Sequence, residues 1–266
     1  MYKFMKRISS WLLGLAILFN LGGCASRNYA KELISAIENN DMDTLAQLIS
    51  EKGDIDAKPY AKYVVDVANH TPLAVAAYEG NFVAVKMLVE AGADVNILGS
   101  NGWTPLHMAI NSSQHKENFD IAEYLIENGA DIHAKDNGGD TAINAMLNAN
   151  VEDSARLPFF IYLLEKGATL KESKSGHVLF DACYNDSNLP IIEYVFEYND
   201  IDINMRSNYK NQTMLMQTTY RGADDVCQFL LEKGADKSLM NSEGKTAYDL
   251  AIQYNQQDVA KHCLVE

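Results

Sequence analysis

Residues Thr71 to Asn96 read TPLAVAAYEGNFVAVKMLVEAGADVN, and this stretch decides the fold. Thr71 is a typical N-cap residue, and Pro72 occupies the first helical position, where a missing backbone N–H has no cost. The apolar spacing predicts a short helix that ends at Gly80 and a second, amphipathic helix from Phe82 to Glu90. Two helices this short have little core of their own, so the unit needs a similar neighbour on each side.

Weaker copies of this stretch recur along the chain. Asn101 to Asp136 contains NGWTPLHMAI and then DIAEYLIENGADIHAKD, a later copy reads NQTMLMQTTYRGADDVCQFLLEKGAD from Asn211, and the last reads GKTAYDLAIQYNQQDVAKH from Gly244. Asp140 to Leu170 and Gly176 to Asn204 depart from the pattern but keep helical apolar spacing. A glutamate near the end of each second helix recurs at intervals of 39, 37, 38, 32 and 35 residues, about 36 on average, which indicates the 33-residue repeat class with insertions. These glutamates are Glu51, Glu90, Glu127, Glu165, Glu197 and Glu232.

On these motifs, the chain resembles ankyrin-repeat proteins over about residues 31–266. Three units that carry the motif make the resemblance specific. It implies an α-class fold, a right-handed solenoid of about seven helix-turn-helix units joined by short β-hairpin loops. In that fold the first helices line a concave face and the hairpin tips project beyond it, so we expect a protein partner to dock there.

The resemblance also implies which side chains face that partner. Three tyrosines, Tyr78, Tyr184 and Tyr220, share one position at the end of a first helix. Tyrosine is enriched in protein interfaces because it offers a large area with little loss of rotamer freedom. The alternative is that these tyrosines only pack along the row of helices. The residues expected to bind the partner are Tyr78, Glu79, Trp103, Met108, Asn111, Lys135, Asp136, Tyr184, Tyr209, Tyr220 and Arg221.

Insertions provide a second set of candidate contacts. Repeats tolerate added residues in loops, often on the binding face. Ala57 to Asn69 precedes the unit quoted above, and Ser112 to Asn118 and Asn150 to Leu157 lie between the two helices of their units. We expect these segments to be loops that contribute specificity, although neutral drift in loop length explains them equally well.

The first 23 residues have the pattern of a secretory signal. Lys3, Lys6 and Arg7 form a positive start, and Trp11 to Leu21 is an apolar run too short for a comfortable membrane span. Without this segment the chain keeps 19 basic against 36 acidic residues, a formal charge of −17. Nucleic-acid phosphates would repel such a protein, whereas a basic protein partner would be attracted. The simpler interpretation is that the charge keeps a repeat protein soluble.

The end of the apolar run resembles the lipobox of bacterial lipoproteins. Leu21 to Cys24 reads LGGC, and the alternative is a plain secretory signal. The resemblance implies a diacylglyceryl group on the Cys24 thiol and a further acyl chain, such as palmitate, on the mature N-terminus. Ala25 in place of Asp implies sorting to the periplasmic face of the outer membrane. The predicted segments are a signal peptide over 1–23, a lipidated tether over 24–30 and an ankyrin-repeat domain over 31–266.

The sequence contains no motif that would carry catalysis or bind a metal. HExxH, GxSxG, P-loop and EF-hand patterns are absent. By resemblance, His107 of TPLH hydrogen-bonds backbone of the neighbouring turn. The acidic pairs Asp54 with Asp56 and Asp200 with Asp202 are typical of turns after a second helix. We therefore predict that the protein is not an enzyme and uses no cofactor or metal.

Three cysteines remain besides Cys24, and each lies in a helical apolar pattern. Cys183, Cys227 and Cys263 are interpreted as small core residues. The alternative is a disulfide between Cys227 and Cys263, on the outer helices of the last two units.

These features together predict a lipid-anchored, acidic surface that binds another protein. The bacterial ankyrin lipoproteins that the chain resembles include immunity proteins, which neutralise phospholipase effectors of type VI secretion in the periplasm. By that resemblance we expect a protein that is monomeric when unbound and that inhibits a toxic lipase by covering its substrate entry. The alternative is an envelope scaffold that recruits or stabilises a resident periplasmic enzyme.

Overall fold

The structure consists of α-helices arranged in pairs. The residues that the computed structural model describes are 29–59, 69–112, 118–149, 153–171 and 176–263. These residues form fourteen α-helices, and no described residue lies in a β-strand. The helices are α1 (29–38), α2 (Met42–Ser50), α3 (Pro72–Tyr78), α4 (Phe82–Glu90), α5 (Pro105–Asn111), α6 (Asn118–Glu127), α7 (Ala142–Asn148), α8 (Asp153–Glu165), α9 (Val178–Ala182), α10 (Leu189–Tyr198), α11 (Met214–Gln217), α12 (Asp224–Glu232), α13 (Ala247–Gln253) and α14 (Gln257–Cys263).

The chain divides into two compact units, Met1–Ala130 and Asp131–Glu266. The first unit contains the helix pairs from α1 to α6, and the second contains the four pairs from α7 to α14. The seven pairs confirm the predicted number of helix-turn-helix repeats. None of the helices in the described residues has the length and apolar character that a membrane crossing requires.

Small side chains bring the first helices of the first unit together. α3 packs against α5, and Leu73, Ala76 and Ala77 on α3 are completely buried. Alanine lets helix backbones approach closely, and each Å² of apolar surface removed from water contributes about 25 cal/mol. This burial stabilises seven-residue helices that would not persist alone in water. α4 covers residues Phe82–Glu90, which are the bounds that the sequence predicts.

Threonine precedes the first helix in five of the seven pairs. The Thr71 hydroxyl oxygen accepts a hydrogen bond from the Ala74 backbone N–H at 3.2 Å, which satisfies a donor that the helix start leaves open. In the next pair the Thr104 N–H donates to His107 Nδ1 at 3.3 Å, so this imidazole holds backbone at the start of its own helix. Equivalent pairings of threonine with the residue three positions later occur at Thr141, Thr213 and Thr246.

Glycine ends the second helix in four of the pairs. Gly92 has a backbone φ of +92°, in the left-handed region that suits glycine, as the sequence predicts. The Ala93 N–H then donates to the Leu88 carbonyl at 3.0 Å and satisfies an acceptor at the helix end. The same bond recurs from the N–H groups of Ala130, Ala168 and Ala235.

The loops between pairs are tight turns. A backbone bond closes several of the tips, such as the Gly99 N–H to the Trp103 carbonyl at 2.7 Å and the Asn241 N–H to the Lys245 carbonyl at 2.9 Å. The described residues of these loops contain no strand. The first acidic pair forms a turn, because Asp54 Oδ1 accepts from the Asp56 N–H at 3.2 Å. Asp56 Oδ1 in turn accepts from the Asp94 N–H of the following loop at 3.1 Å. The second carboxylate thus links neighbouring repeats.

The second unit continues this packing through less regular repeats. Its first helices contact one another in series, α7 with α9, α9 with α11 and α11 with α13. Among the second helices, Phe196 of α10 meets Phe229 of α12 edge to face, with ring centroids 5.7 Å apart. His177 replaces threonine before α9, where its Nδ1 accepts from the Leu179 N–H at 3.2 Å. Asn199 ends α10 in extended backbone in place of a left-handed glycine.

A buried arginine lies near the start of α8. The sequence predicts a loop over Asn150 to Leu157, but α8 already begins at Asp153, so this prediction is wrong for the second half of the segment. Arg156 is only 4% exposed. Its Nη2 donates to the Ala149 carbonyl at 2.5 Å, and its Nη1 donates to Asn188 Oδ1 at 3.3 Å. The guanidinium therefore satisfies backbone at the end of α7 and holds the start of α8 in place.

The first helix also begins earlier than predicted. The sequence assigns residues 24–30 to a tether, but Tyr29 and Ala30 lie in α1. The Tyr29 hydroxyl donates to the Leu48 carbonyl at 2.8 Å, and its ring lies where a Cβ on Gly53 would stand, at 2.6 Å. Tyr29 is therefore part of the folded unit. The predicted signal and lipidation site lie outside the described residues.

We predict that Arg156→Ala lowers the free energy of unfolding by about 2–4 kcal/mol, because buried carbonyl and amide oxygens lose a charged donor. The measurement is urea unfolding followed by circular dichroism. Arg221→Ala, which removes an exposed guanidinium, is the matched control and should change stability by less than about 0.5 kcal/mol. Equal stability of the two variants would contradict a structural role for Arg156.

Candidate protein-binding surface

Three tyrosines of the second unit form a row of neighbouring rings, here called the tyrosine row: Tyr184, Tyr220 and Tyr254. Tyr184 and Tyr220 pack edge to face with centroids 5.7 Å apart, and Tyr220 and Tyr254 lie 4.7 Å apart at an interplanar angle of 36°. Each ring follows the first helix of its pair and is half-buried. Their packing gives the row a defined shape before any partner binds, which limits the entropy lost on binding.

Buried amides hold the centre of the tyrosine row in place. Gln212 Nε2 donates to the Tyr220 hydroxyl at 2.7 Å, and Gln217 Nε2 donates to Gln212 Oε1 at 3.1 Å. Both glutamines are buried. Tyr220 itself ends the 3₁₀ turn Thr218–Tyr220, a tighter continuation of α11. The Thr218 hydroxyl donates to the Leu215 carbonyl at 2.8 Å and supports that turn.

The hydroxyl groups of Tyr184 and Tyr254 have raised pKa values. Burial, followed by the Asp181 carboxylate, raises the pKa of Tyr184 to about 12. Burial and the Tyr220 hydroxyl also raise the pKa of Tyr254. A neutral phenol can both donate and accept a hydrogen bond, so the row offers an amphipathic surface for recognition.

Charged side chains lie beside the row on the neighbouring loops. Lys210 Nζ is 2.7 Å from Glu243 Oε1, and Lys245 Nζ is 3.9 Å from Glu243 Oε2. Lys210 also lies over the ring of Tyr209, 5.4 Å from its centroid. These pairs are partly exposed, so they contribute little to stability, but they present both signs of charge to a partner.

The predicted contacts in the first unit occupy different environments. Tyr78 is 38% exposed, and Glu79 beside it is also exposed. Trp103 is half-buried, and the Asn111 amide donates back to the His107 carbonyl at 3.1 Å.

The prediction that Met108 faces solvent is wrong. Met108 is 3% exposed, because it lies on the buried face of α5. Val75 and Gln217 stand at the same position of their own first helices, four residues after the threonine, and both are also buried. On the first helices, fewer of the predicted contact positions are therefore exposed than the resemblance implied, and the exposed ones lie at the helix ends.

The remaining predicted contacts belong to the second unit. Lys135 and Arg221 are exposed, and Tyr209 is 59% exposed. Asp136 closes a turn, because its Oδ1 accepts from the Gly138 N–H at 2.7 Å and from the Asp140 N–H at 2.9 Å. Its carboxylate therefore shapes the tip.

Tyr254 is the member of the row that the sequence analysis missed. It occurs one residue later, relative to Thr246, than Tyr220 does relative to Thr213. Tyr220 ends a 3₁₀ turn and Tyr254 follows a regular α-helix. A 3₁₀ turn rotates the chain further per residue than an α-helix does, so the extra residue before Tyr254 brings its ring to the side where the Tyr220 ring lies. A search for an aromatic residue at either of two adjacent positions would have found it.

Parts of the predicted insertions cannot be placed on this surface. Residues 60–68, 113–117 and 150–152 lie outside the described residues. Within the ranges that are described, no group of three or more His, Cys, Asp and Glu side chains is arranged to hold a metal ion.

Comparison with known proteins identifies the family. The profile for "Ankyrin repeats (3 copies)" matches residues 33–136 and 179–265, which together are more than half of the chain. The chain is an ankyrin-repeat protein. Ankyrin-repeat stacks typically act as protein-interaction scaffolds, with binding surfaces formed by successive repeats. The unmatched residues 137–178 include α7 and α8, the pair that contains Arg156.

Individual relatives share short ankyrin segments. The chain is 36% identical to "Ankyrin repeat and SAM domain-containing protein 6" of Rattus norvegicus over 70 residues, 26% of this chain and 8% of that protein. It is 40% identical to a "Putative ankyrin repeat protein" of Rickettsia bellii over 70 residues, 26% of each protein. The chain thus spans about a quarter or less of the length of these relatives.

Two solved structures are similar over most of the chain. The ankyrin repeat domain of Bcl-3 has a TM-score of 0.62 at 21% identity, covering 87% of this chain and 96% of that one, which shows the fold. A chain from the structure of a predatory endopeptidase of Bdellovibrio bacteriovorus in complex with an immunity protein has a TM-score of 0.55 at 28% identity, covering 72% of this chain and 95% of that one.

The raised pKa of Tyr184 predicts a loss of stability at alkaline pH. The unfolded phenol ionises near pH 10 and the folded one near 12, so its contribution is fully present below pH 10 and is lost as the pH rises through 12. Tyr184→Phe should reduce the fall in unfolding free energy across this window by about 1 kcal/mol, allowing for solvent screening of a half-buried group. The measurement is urea unfolding at pH 9.5 and 11.5. Tyr209→Phe, which removes the hydroxyl of a 59% exposed ring, is the matched control, and an identical effect of both variants would contradict the assignment.

Proposed function

We propose that this ankyrin-repeat protein is a lipid-anchored immunity protein that binds and neutralises a toxic enzyme in the periplasm, a phospholipase effector of type VI secretion. It acts by stoichiometric occlusion: the ends of the first helices and the loop tips cover the entry to the toxin's active site. Catalysis is not required of the inhibitor, and ankyrin-repeat stacks typically serve as protein-interaction scaffolds.

The observation that carries the proposal is the similarity to a chain from the structure of an endopeptidase in complex with an immunity protein. That similarity extends over 95% of the other chain at 28% identity. It supports an ankyrin stack of this size as a member of an immunity complex with an enzyme. The structure of the Bdellovibrio protein contains an endopeptidase, so the class of enzyme that this chain binds must be tested separately.

The sequence before the repeats supports the proposed localisation at a membrane surface. Leu21 to Cys24 reads LGGC, so acylation of Cys24 would anchor the protein to a membrane surface. A phospholipase that enters the periplasm acts on lipids of the same surface. Anchoring therefore places the inhibitor at the substrate of the toxin and raises its local concentration there.

The tyrosine row is the proposed centre of the interface. Tyrosine anchors carry much of the binding energy in protein interfaces, particularly where the rings are held in place beforehand. Tyr184, Tyr220 and Tyr254 are such tyrosines, and ring contacts already hold them in place. The chain has a formal charge of −14, which would attract a basic enzyme and speed its association.

The test of the function begins with capture of the partner. The chain without its signal peptide is immobilised and exposed to secreted effectors and to periplasmic extract. Binding of a phospholipase whose activity falls to zero at a 1:1 ratio supports the proposal. Inhibition of an endopeptidase in its place would keep the immunity function and overturn the lipase assignment. Capture of a resident periplasmic enzyme that remains active supports the scaffold alternative.

A competition assay tests the same function in cells. A strain that lacks this gene should lose fitness against a neighbour that delivers the toxin and should keep normal fitness against a neighbour that lacks it. Loss of the gene without loss of fitness in either pairing would contradict the immunity function.

We predict that Tyr78→Ala combined with Tyr220→Ala weakens the complex at least about tenfold, because each variant removes an aromatic anchor. Titration calorimetry with the captured partner measures the affinity. Tyr198→Ala is the matched control, since this ring is 65% exposed but lies on the second helix α10. Unchanged affinity in the double variant, with circular dichroism confirming its fold, would remove the tyrosines from the interface.

We also predict that Cys24→Ser moves the protein from the membrane fraction to the soluble fraction. The serine hydroxyl cannot take up the diacylglyceryl group that the thiol accepts. Fractionation and labelling with radioactive palmitate measure the change. Retention of label in the Cys24→Ser protein would place the acyl chain elsewhere and contradict the lipobox.

A further inference from the structure

Two buried thiols face each other across the last two repeats. Cys227 lies in α12 and Cys263 ends α14, the second helices of consecutive pairs. Their sulfur atoms are 3.6 Å apart, and neither residue has any exposed surface. A disulfide needs sulfur atoms about 2.05 Å apart, so closing this gap requires a movement of about 1.5 Å.

Other contacts keep the two helices in register around the thiols. His262 Nε2 lies 3.4 Å from Asp224 Oδ1 and 3.1 Å from Gln228 Nε2. These three side chains are next to the cysteines on the same two helices. The thiol pair is therefore part of an interface that these polar contacts also hold.

The short length of α14 makes local opening of this interface possible. α14 has only seven residues, and a helix this short depends on packing for its stability. Single elements of a folded protein can open at a lower free energy than the whole domain. Opening of α14 separates the two cysteines and exposes them to reagents in solution.

We propose that Cys227 and Cys263 form a disulfide that ties α14 to α12 whenever the chain meets a disulfide oxidant. The oxidant is a low-molecular-weight disulfide or the active-site disulfide of an oxidoreductase. This inference concerns the folded chain alone and does not depend on the identity of the toxin.

The reaction proceeds by two thiol–disulfide exchanges. In the opened state, one cysteine thiolate attacks the oxidant disulfide, forms a mixed disulfide and releases one oxidant thiolate. The second cysteine thiolate then attacks the protein sulfur of the mixed disulfide and releases the other oxidant thiolate. The protein loses two protons and two electrons, and the oxidant is reduced to two thiols.

The closed structure slows this reaction. The hydrogen bond with Cys263 and burial both raise the pKa of the Cys227 thiol, whereas the same hydrogen bond lowers the pKa of Cys263. Both sulfur atoms are completely buried, so an oxidant cannot reach either of them while α14 is docked. Oxidation should therefore occur at the rate at which α14 opens. Once formed, the disulfide closes a loop between positions 36 residues apart and restricts the opening that allowed it.

The test uses the full chain with Cys24→Ser, purified under reducing conditions and incubated with oxidised glutathione. We expect the intact mass to fall by about 2 Da and one peptide cross-link to join Cys227 to Cys263. We expect the thermal midpoint to rise by about 5 °C or more and to return on addition of dithiothreitol. A chain that retains three alkylatable thiols after prolonged incubation would overturn the proposal.

Cys183 provides the matched control, since it is a buried cysteine at the end of α9. Cys183→Ala should oxidise and gain stability like the parent chain. Cys227→Ala and Cys263→Ala should show no rise in thermal midpoint with oxidant, and each should be compared with its own reduced form so that any packing defect cancels. A disulfide that includes Cys183 would overturn the assignment. Because the experiment contains no partner and no membrane, its failure would leave the proposed immunity function intact.

Discussion

Within each unit, the packing of one first helix on the next is the interaction that the other features depend on. In the first unit, Leu73, Ala76 and Ala77 of α3 lose all their exposed surface beside α5, and in the second unit α11 is covered by α9 and α13. Neighbouring helices of this kind lie about 8–10 Å apart. The tyrosine rings at their ends lie much closer, at 5.7 and 4.7 Å, so the side chains lean toward one another across the gap. The spacing of the helices therefore sets the positions of the three tyrosines, and their rings fill the space between the helix ends.

The parts of the fold that could be predicted are those encoded by local signals. Thr71 and Pro72 start α3 through a cap and a fixed φ, and Gly92 follows the end of α4 in left-handed backbone. Each of these signals acts within a few residues of itself, and the bounds of α4 could be predicted to the residue. The start of α8 could not be predicted in this way. Arg156, near that start, bonds to Asn188, 32 residues away, and no local pattern contains that contact.

The candidate site was predictable to the same extent. Tyr184 and Tyr220 could be grouped because they repeat at one helical position, and the structure places their rings in contact. Met108 lies three residues earlier in its repeat than the tyrosines do in theirs, inside α5 and not at its end, and there it is buried. Tyr254 escaped the pattern because a 3₁₀ turn in one repeat and an α-helix in the next shift the register by one residue.

The bonds around Arg156 also bear on how this protein can change by gain or loss of repeats. The Leu147 carbonyl accepts from both Arg156 and Asn188, which belong to consecutive pairs. Duplicating, deleting or exchanging one of these pairs by recombination would leave the other with a buried guanidinium or amide facing the wrong carbonyls. The two helix pairs are therefore expected to be duplicated, deleted or exchanged only together. Lineages of this protein should differ in length by whole repeats elsewhere in the array, while α7 to α10 are kept or lost together.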